Sequence, residues 1–292
     1  MTFEPIWGAI IAWYLFLAGL GGGAFVTSAF LGWRHPEAVS MRKIGHLVAP
    51  IVVIIGLCLL MFDAKAGLMN PLRFALLLTN FGSVMTWGVV FLGGFTVISL
   101  VVVVLDFVKK RVPVWLDIAG VVFGVAVAMY TGALLGVCKT FPLWNNAVLP
   151  ILFVVSALSA GLAATSLVGL LVDRERFEQM WLIKKSHVIL SAVEMVVLAT
   201  MLIIVSAGSF EGAASVYSLV AGQYAPAFWG GIVLLGLVAP FLIEGYPVFI
   251  AKRVETSTTS MVVSVIGEAG VLVGGFMLRL LVILAALPVL FL

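Results

Sequence analysis

An all-α integral membrane protein with eight transmembrane helices is the fold class this sequence predicts, and three observations predict it. The 292 residues are 63% hydrophobic and only 10% charged, whereas a soluble domain averages about 45–50% apolar and about 25% charged. So little polar surface cannot cover a water-soluble globule. The apolar runs are continuous and much longer than the roughly 10 alternating residues of a membrane β-strand. Only helices and closed barrels satisfy their own backbone in lipid, so these runs are helices. Finally, the basic residues gather in every other connection, as they do in a chain threaded back and forth through a bilayer. The net charge of +3 therefore reports topology, and no nucleic acid is expected as a partner.

Eight segments reach the roughly 20 residues that a span requires. The first, 8–32, follows "MTFEPIWGAII", which has no Lys or Arg before its apolar run. A cleaved leader needs a basic start and a shorter apolar core, so this reads as a permanent span. Its "AGLGGGA" at 18–24 lies inside the span with no strand ahead of it. That placement favours close helix packing over a phosphate loop. The second span, 46–63, begins at the histidine of "KIGH" and ends at Asp63. The third, 76–106, carries Asn80, Ser83 and Trp87 near its start. The fourth, 114–137, holds Gly120 and Gly124 and closes on "MYTGALLGV". The fifth, 147–172, contains "GLAATS", and the sixth, 183–207, opens on "KKSH" with Glu194 near its middle. Glu244 lies near the far end of the seventh, 226–250. The eighth, 261–290, bears Glu268, Gly270, Gly274 and Arg279.

Arg34, Arg42 and Lys43, then Lys109, Lys110 and Arg111, then Arg174, Arg176, Lys184 and Lys185, then Lys252 and Arg253 mark the odd connections. The even ones hold only Lys65, Arg73 and Lys139. The positive-inside rule places the odd connections in the cytoplasm and both termini outside. A weak internal echo accompanies this topology. "GAFVTS" at 23–28 resembles "GLAATS" at 161–166, "KIGH" resembles "KKSH", and Gly120 and Gly124 correspond to Gly270 and Gly274. Two four-helix bundles in a parallel pseudo-repeat are expected, over residues 1–140 and 141–292.

A charged group near the centre of a span costs about 2.5–3.5 kcal/mol, so each one asks for a reason. Glu194, Glu268, Glu244 and His187 can form a proton route from the cytoplasm towards an outer site. Alternatively, Glu194 and Glu268 are protonated and only hydrogen-bond across the bundle, with Arg279 a structural counter-ion. Cys58 and Cys138 have neither metal-ligand nor disulfide spacing and read as buried free thiols. The three histidines, His35, His46 and His187, all fall on the cytoplasmic side. Two facing histidines inside the apolar layer would be needed for a b haem. No haem is expected, and His46 and His187 read as interfacial side chains with polar tips. On the outer side "FDAKAGLMNPLRF" supplies Asp63, Lys65, Asn70 and Arg73. Together with Asn80, Trp13, Tyr14, Tyr130, Lys139, Trp144 and Asn145, these make a polar and aromatic cluster in the first half.

"YLFLAGLGGGAF" at 14–25, "DAKAGLMNPLRF" at 63–74, "MYTGALL" at 129–135, "LPILFVVSALSAG" at 149–161 and "GGFMLRLLVILA" at 274–285 resemble the NrfD/PsrC family. These are the membrane anchors of polysulfide, thiosulfate, tetrathionate and nitrite reductases. The resemblance runs in order over nearly the whole chain. It implies a quinone-interacting subunit in a prokaryotic cytoplasmic membrane, handling menaquinone or ubiquinone. It also implies a ferredoxin-like iron–sulfur subunit on the outer face and a molybdopterin catalytic subunit beyond it, so those cofactors belong to partners. The family tyrosine that hydrogen-bonds the quinone head corresponds to Tyr130. Gly132 then lets the ring or a neighbouring helix approach the backbone, and Trp144 is expected to cover the head. The polysulfide type also uses a histidine in its first span. None stands before residue 35 here, which leaves Asp63, Lys65 or Tyr14 for that role. Two other classes fit parts of the pattern: a multi-pass transporter of a small solute or proton, and a b-type cytochrome anchor.

Overall fold

The computed structural model describes residues 7–35, 39–63, 76–108, 112–172, 181–251 and 258–289. Lys65, Asn70, Arg73, Lys109, Lys110, Arg111, Arg174, Arg176, Lys252 and Arg253 lie outside these residues. The described residues form α1 (Ala9–Arg34), α2 (Val39–Asp63), α3 (Val84–Phe107), α4 (Val114–Gly136), α5 (Val148–Val172) and α6 (Trp181–Gly208). They continue as α7 (Phe210–Val220), α8 (Ala225–Ile250) and α9 (Thr258–Leu284). All of these except the short α7, eight helices among the described residues, are long and apolar enough to cross a membrane.

Most boundaries fall within a few residues of expectation; α2 begins at Val39 rather than 46, and the differences at α3 and α9 have local causes. The third span begins at Val84 rather than at 76, because side chains there compete for the backbone. Asn80 Oδ1 accepts from the Gly82 amide at 3.1 Å, and Thr86 Oγ1 reaches both the Leu77 and Asn80 carbonyls at 2.6 Å. The last helix stops at Leu284 instead of 290. The chain beyond it is tied elsewhere: the Val289 amide donates to the Thr140 carbonyl at 2.8 Å, and the Leu287 amide to Ser215 Oγ at 3.0 Å. Helix α7 was not anticipated. Ser209 caps it by accepting from the Gly212 amide at 3.0 Å, and Phe210 and Tyr217 on it are exposed. In α8 the turns Phe228–Val238 and Tyr246–Ala251 widen to π-helix. Pro240 and Pro247 donate no amide to the helical ladder there.

Small residues place α1 and α5 in contact at the centre. A Cβ on Gly23 would run into the Ala157 carbonyl, and one on Gly161 into the backbone of Gly23 and Ala24. Helix backbones this close need glycine at the crossing. Helix α1 also packs on α2 and α4, while α5 packs on α6 and α9. Helix α3 lies against α2 and α4, and α8 against α6 and α9. Cys58 is exposed on α2 rather than buried, because its side chain falls on the outward face; Cys138 is half-buried.

Candidate functional site

A cavity of about 570 Å³ opens among α1, α2, α3 and α4, at the end where α1 begins and α2 finishes. Its polar groups are few. Tyr14 from α1 and Tyr130 from α4 both line it, with their hydroxyls close to one another, and Asp63, the last residue of α2, stands at the rim. The rest of the wall is apolar. Tyr130 belongs to the buried face of α4 with Val127, Thr131 and Leu135, so helical periodicity carries it inward. Its phenol occupies the space above Gly88 of α3, where any Cβ would collide with the ring.

The other sequence candidates divide around this cavity. Gly132 does not face it: a Cβ there would meet Pro150 Cα at 2.6 Å, so Gly132 admits α5 rather than a ligand. Trp144 does not line it either. Its indole nitrogen donates to the Val282 carbonyl at 2.7 Å, and its ring stacks at 5.4 Å behind Trp7, which does line the cavity. Asn80 is exposed and shapes the turn before α3. Lys65 and Arg73 lie outside the described residues.

A second set of polar groups runs through α5, α6, α8 and α9. Lys184 Nζ pairs with Glu244 at 2.8 Å and reaches Ser264 at 3.5 Å. His187 Nε2 contacts Glu268 at 3.0 Å and Ser166 Oγ at 3.5 Å. One turn further along α6 is Ser191, and beyond it Glu194, which lies beside Ser156. Ser156 Oγ also accepts from the Arg279 guanidinium at 2.6 Å. Ser156 thus stands between a buried carboxylate and a buried cation. Arg279, 0% exposed, also donates to the Gly275 and Phe153 carbonyls and lies over the Phe153 ring at 5.0 Å. Lys184, His187, Ser191 and Glu194 share one face of α6 and span about 15 Å along it at about 1.5 Å per residue.

A third cluster was missed. His46 is 0% exposed and His187 1%, so neither is an interfacial side chain with a polar tip. His46 Nδ1 contacts Asp106 at 3.1 Å, and Arg42 reaches the other oxygen of the same carboxylate at 3.2 Å. Phe25 stacks on the imidazole at 4.7 Å, and Asp117 of α4 is buried close by. Asp106 lies near the end of α3 and Asp117 in the first turn of α4, positions that sequence alone does not mark as buried. Among the described residues, no three His, Cys, Asp or Glu side chains stand together as a metal site.

The family model described as polysulphide reductase, NrfD, matches residues 1–290. The chain belongs to this family. It is 30% identical over 268 residues to the C chain of polysulfide reductase from Wolinella succinogenes, covering 82% of its own length and 83% of that protein. It is 26% identical to the NrfD homologue of Haemophilus influenzae and 27% identical to protein NrfD of Escherichia coli K12. Each of those comparisons covers 96% of the present protein and 94% of the relative. Within the NrfD pattern, the Tyr-Thr-Gly stretch at 130–132 divides its labour: the tyrosine faces the cavity and the glycine faces α5.

Proposed function

We propose that this protein is the quinone-reactive membrane anchor of a respiratory oxidoreductase in a prokaryotic cytoplasmic membrane. It exchanges electrons between menaquinol or ubiquinol and an iron–sulfur subunit on the outer face, which serves a molybdopterin subunit. The observation that carries this reading is the apolar cavity with two neighbouring tyrosines, Tyr14 and Tyr130, in its wall. Its volume lies within the usual ligand-pocket range of about 300–1,000 Å³. A quinone supplies two-electron, two-proton chemistry, and its ring oxygens need donors and acceptors that stay neutral. A tyrosine hydroxyl, with an ordinary pKa of about 10, is such a group at neutral pH. Tyr130 and Tyr14 hold and orient the ring oxygens, and each hydroxyl can pass a proton to the other. Asp63 at the rim is the group placed to hand protons to water. Trp7, backed by Trp144, closes the cavity towards the outer surface.

The two halves form a pseudo-repeat in this reading. Supporting it, α1 to α4 and then α5, α6, α8 and α9 share a pattern of neighbours. The row from Lys184 to Arg279 is a proton route from the cytoplasmic side, with Ser191 standing between His187 and Glu194 on the same face of α6.

The test is binding of a quinol analogue to the purified protein, followed by tryptophan quenching. Saturable quenching is expected in wild type. Tyr130→Phe should weaken it about 10-fold, the upper value of a single net hydrogen bond. Equal binding by both proteins would remove Tyr130 from the site.

A further inference from the structure

The tyrosine pair occupies only one part of the cavity wall. Elsewhere α3 presents Met85, Val89 and Gly93, spaced four residues apart on one edge, and α2 presents Leu57, Leu60 and Met61. Gly93 lines the cavity and is also exposed on the outside of the bundle. A Cβ built on it meets nothing within 4 Å. A residue that both lines a cavity and faces outward marks an opening. The same two helices present Ile54, 40% exposed, and Val97, 62% exposed, next along towards mid-span. The opening therefore gives onto the apolar, lipid-facing surface. Towards the other end α2 and α3 are pinned together by Arg42, His46 and Asp106, so the parting between them is confined to the cavity end.

A space of about 570 Å³ accommodates a ring system and the first carbons of a substituent. It cannot hold a tail of many isoprene units. Such a tail is stable only in hydrocarbon surroundings, so it needs a lateral exit that does not cross the polar rim at Asp63. We infer that the tail of a prenylated quinone leaves through the slot between α2 and α3, over Gly93, and that Gly93 sets the width of this slot. The inference rests on the quinone reading above and adds the route and the selectivity for long-tailed substrates.

Full-length wild type, Gly93→Phe and Tyr130→Phe are placed in lipid nanodiscs and titrated by tryptophan quenching. The probes are a tail-free naphthoquinone and the same ring carrying a long isoprenoid tail. Gly93→Phe should weaken the tailed probe by about 10-fold or more while leaving the tail-free probe within about 2-fold of wild type. Tyr130→Phe should weaken both alike. Equal weakening of both probes by Gly93→Phe would place Gly93 against the ring and overturn the portal. No weakening of either would send the tail elsewhere and overturn it too. Should Gly93→Phe fail to fold, the smaller Gly93→Leu is read in the same way. If wild type binds neither probe, the quinone reading itself falls and the portal falls with it.

Discussion

Gly88 is the residue whose importance only the packed structure reveals, because the Tyr130 phenol fills the place of its missing side chain. Gly88→Ala should displace the tyrosine pair and destabilise the protein by about 1–3 kcal/mol, the usual cost of overpacking. Quinol-analogue binding should fall with it, and a thermal melt beside a titration checks both effects. The Glu194, Ser156 and Arg279 triad makes a sharper case. A buried guanidinium cannot shed its proton, so Glu194→Leu leaves it uncompensated, at a cost of about 3–5 kcal/mol. The double variant Glu194→Leu, Arg279→Leu should recover most of that loss. If single and double variants melt together, the two residues are not coupled. The sequence already pointed to both, since a carboxylate and an arginine inside apolar spans need partners. It could not show that a serine from α5 lies between them.

At the scale of elements, the contact of α1 with α5 depends on glycine at the crossing and not on any strong pairing. Gly23→Ala should push the two helices apart and lower the melting temperature markedly. Gly93→Ala, with open space around it, should be neutral or stabilising by up to about 1 kcal/mol from helix propensity. A reversed order would show that backbone approach at Gly23 is not limiting. The glycine spacing was legible as a packing signal, and the partner of each glycine was not. Gly132 and Gly136 show the limit of that signal. Gly132 is in tight contact with Pro150, whereas the nearest atom to a Cβ on Gly136 is the Trp144 carbonyl at 3.7 Å. The start of α3 was misplaced for a related reason. Leu76, Leu77 and Leu78 are apolar enough for a span, but Thr79, Asn80 and Thr86 take the backbone into turns.

For the whole molecule, the halves differ in what they hold: the tyrosine cavity lies among α1 to α4, and the carboxylate row among α5, α6, α8 and α9. If protons cross through the second half, Glu268→Gln in the assembled complex should leave quinol-analogue binding unchanged. It should also reduce proton uptake from the cytoplasmic side of liposomes by about 100-fold, the low end of a general acid–base contribution. Unchanged uptake would confine Glu268 to a structural role with His187. The fold class, the eight long helices and the family were legible in the sequence itself, because apolar length, charge placement and short ordered motifs are local properties. Tyr130 was legible too, through the family resemblance rather than through periodicity. The pairing of Tyr14 with Tyr130, the burial of His46 against Asp106, and the retreat of Gly132 and Trp144 from the cavity were not. Each depends on which helix faces which, a relation between residues far apart in sequence that exists only once the bundle has packed.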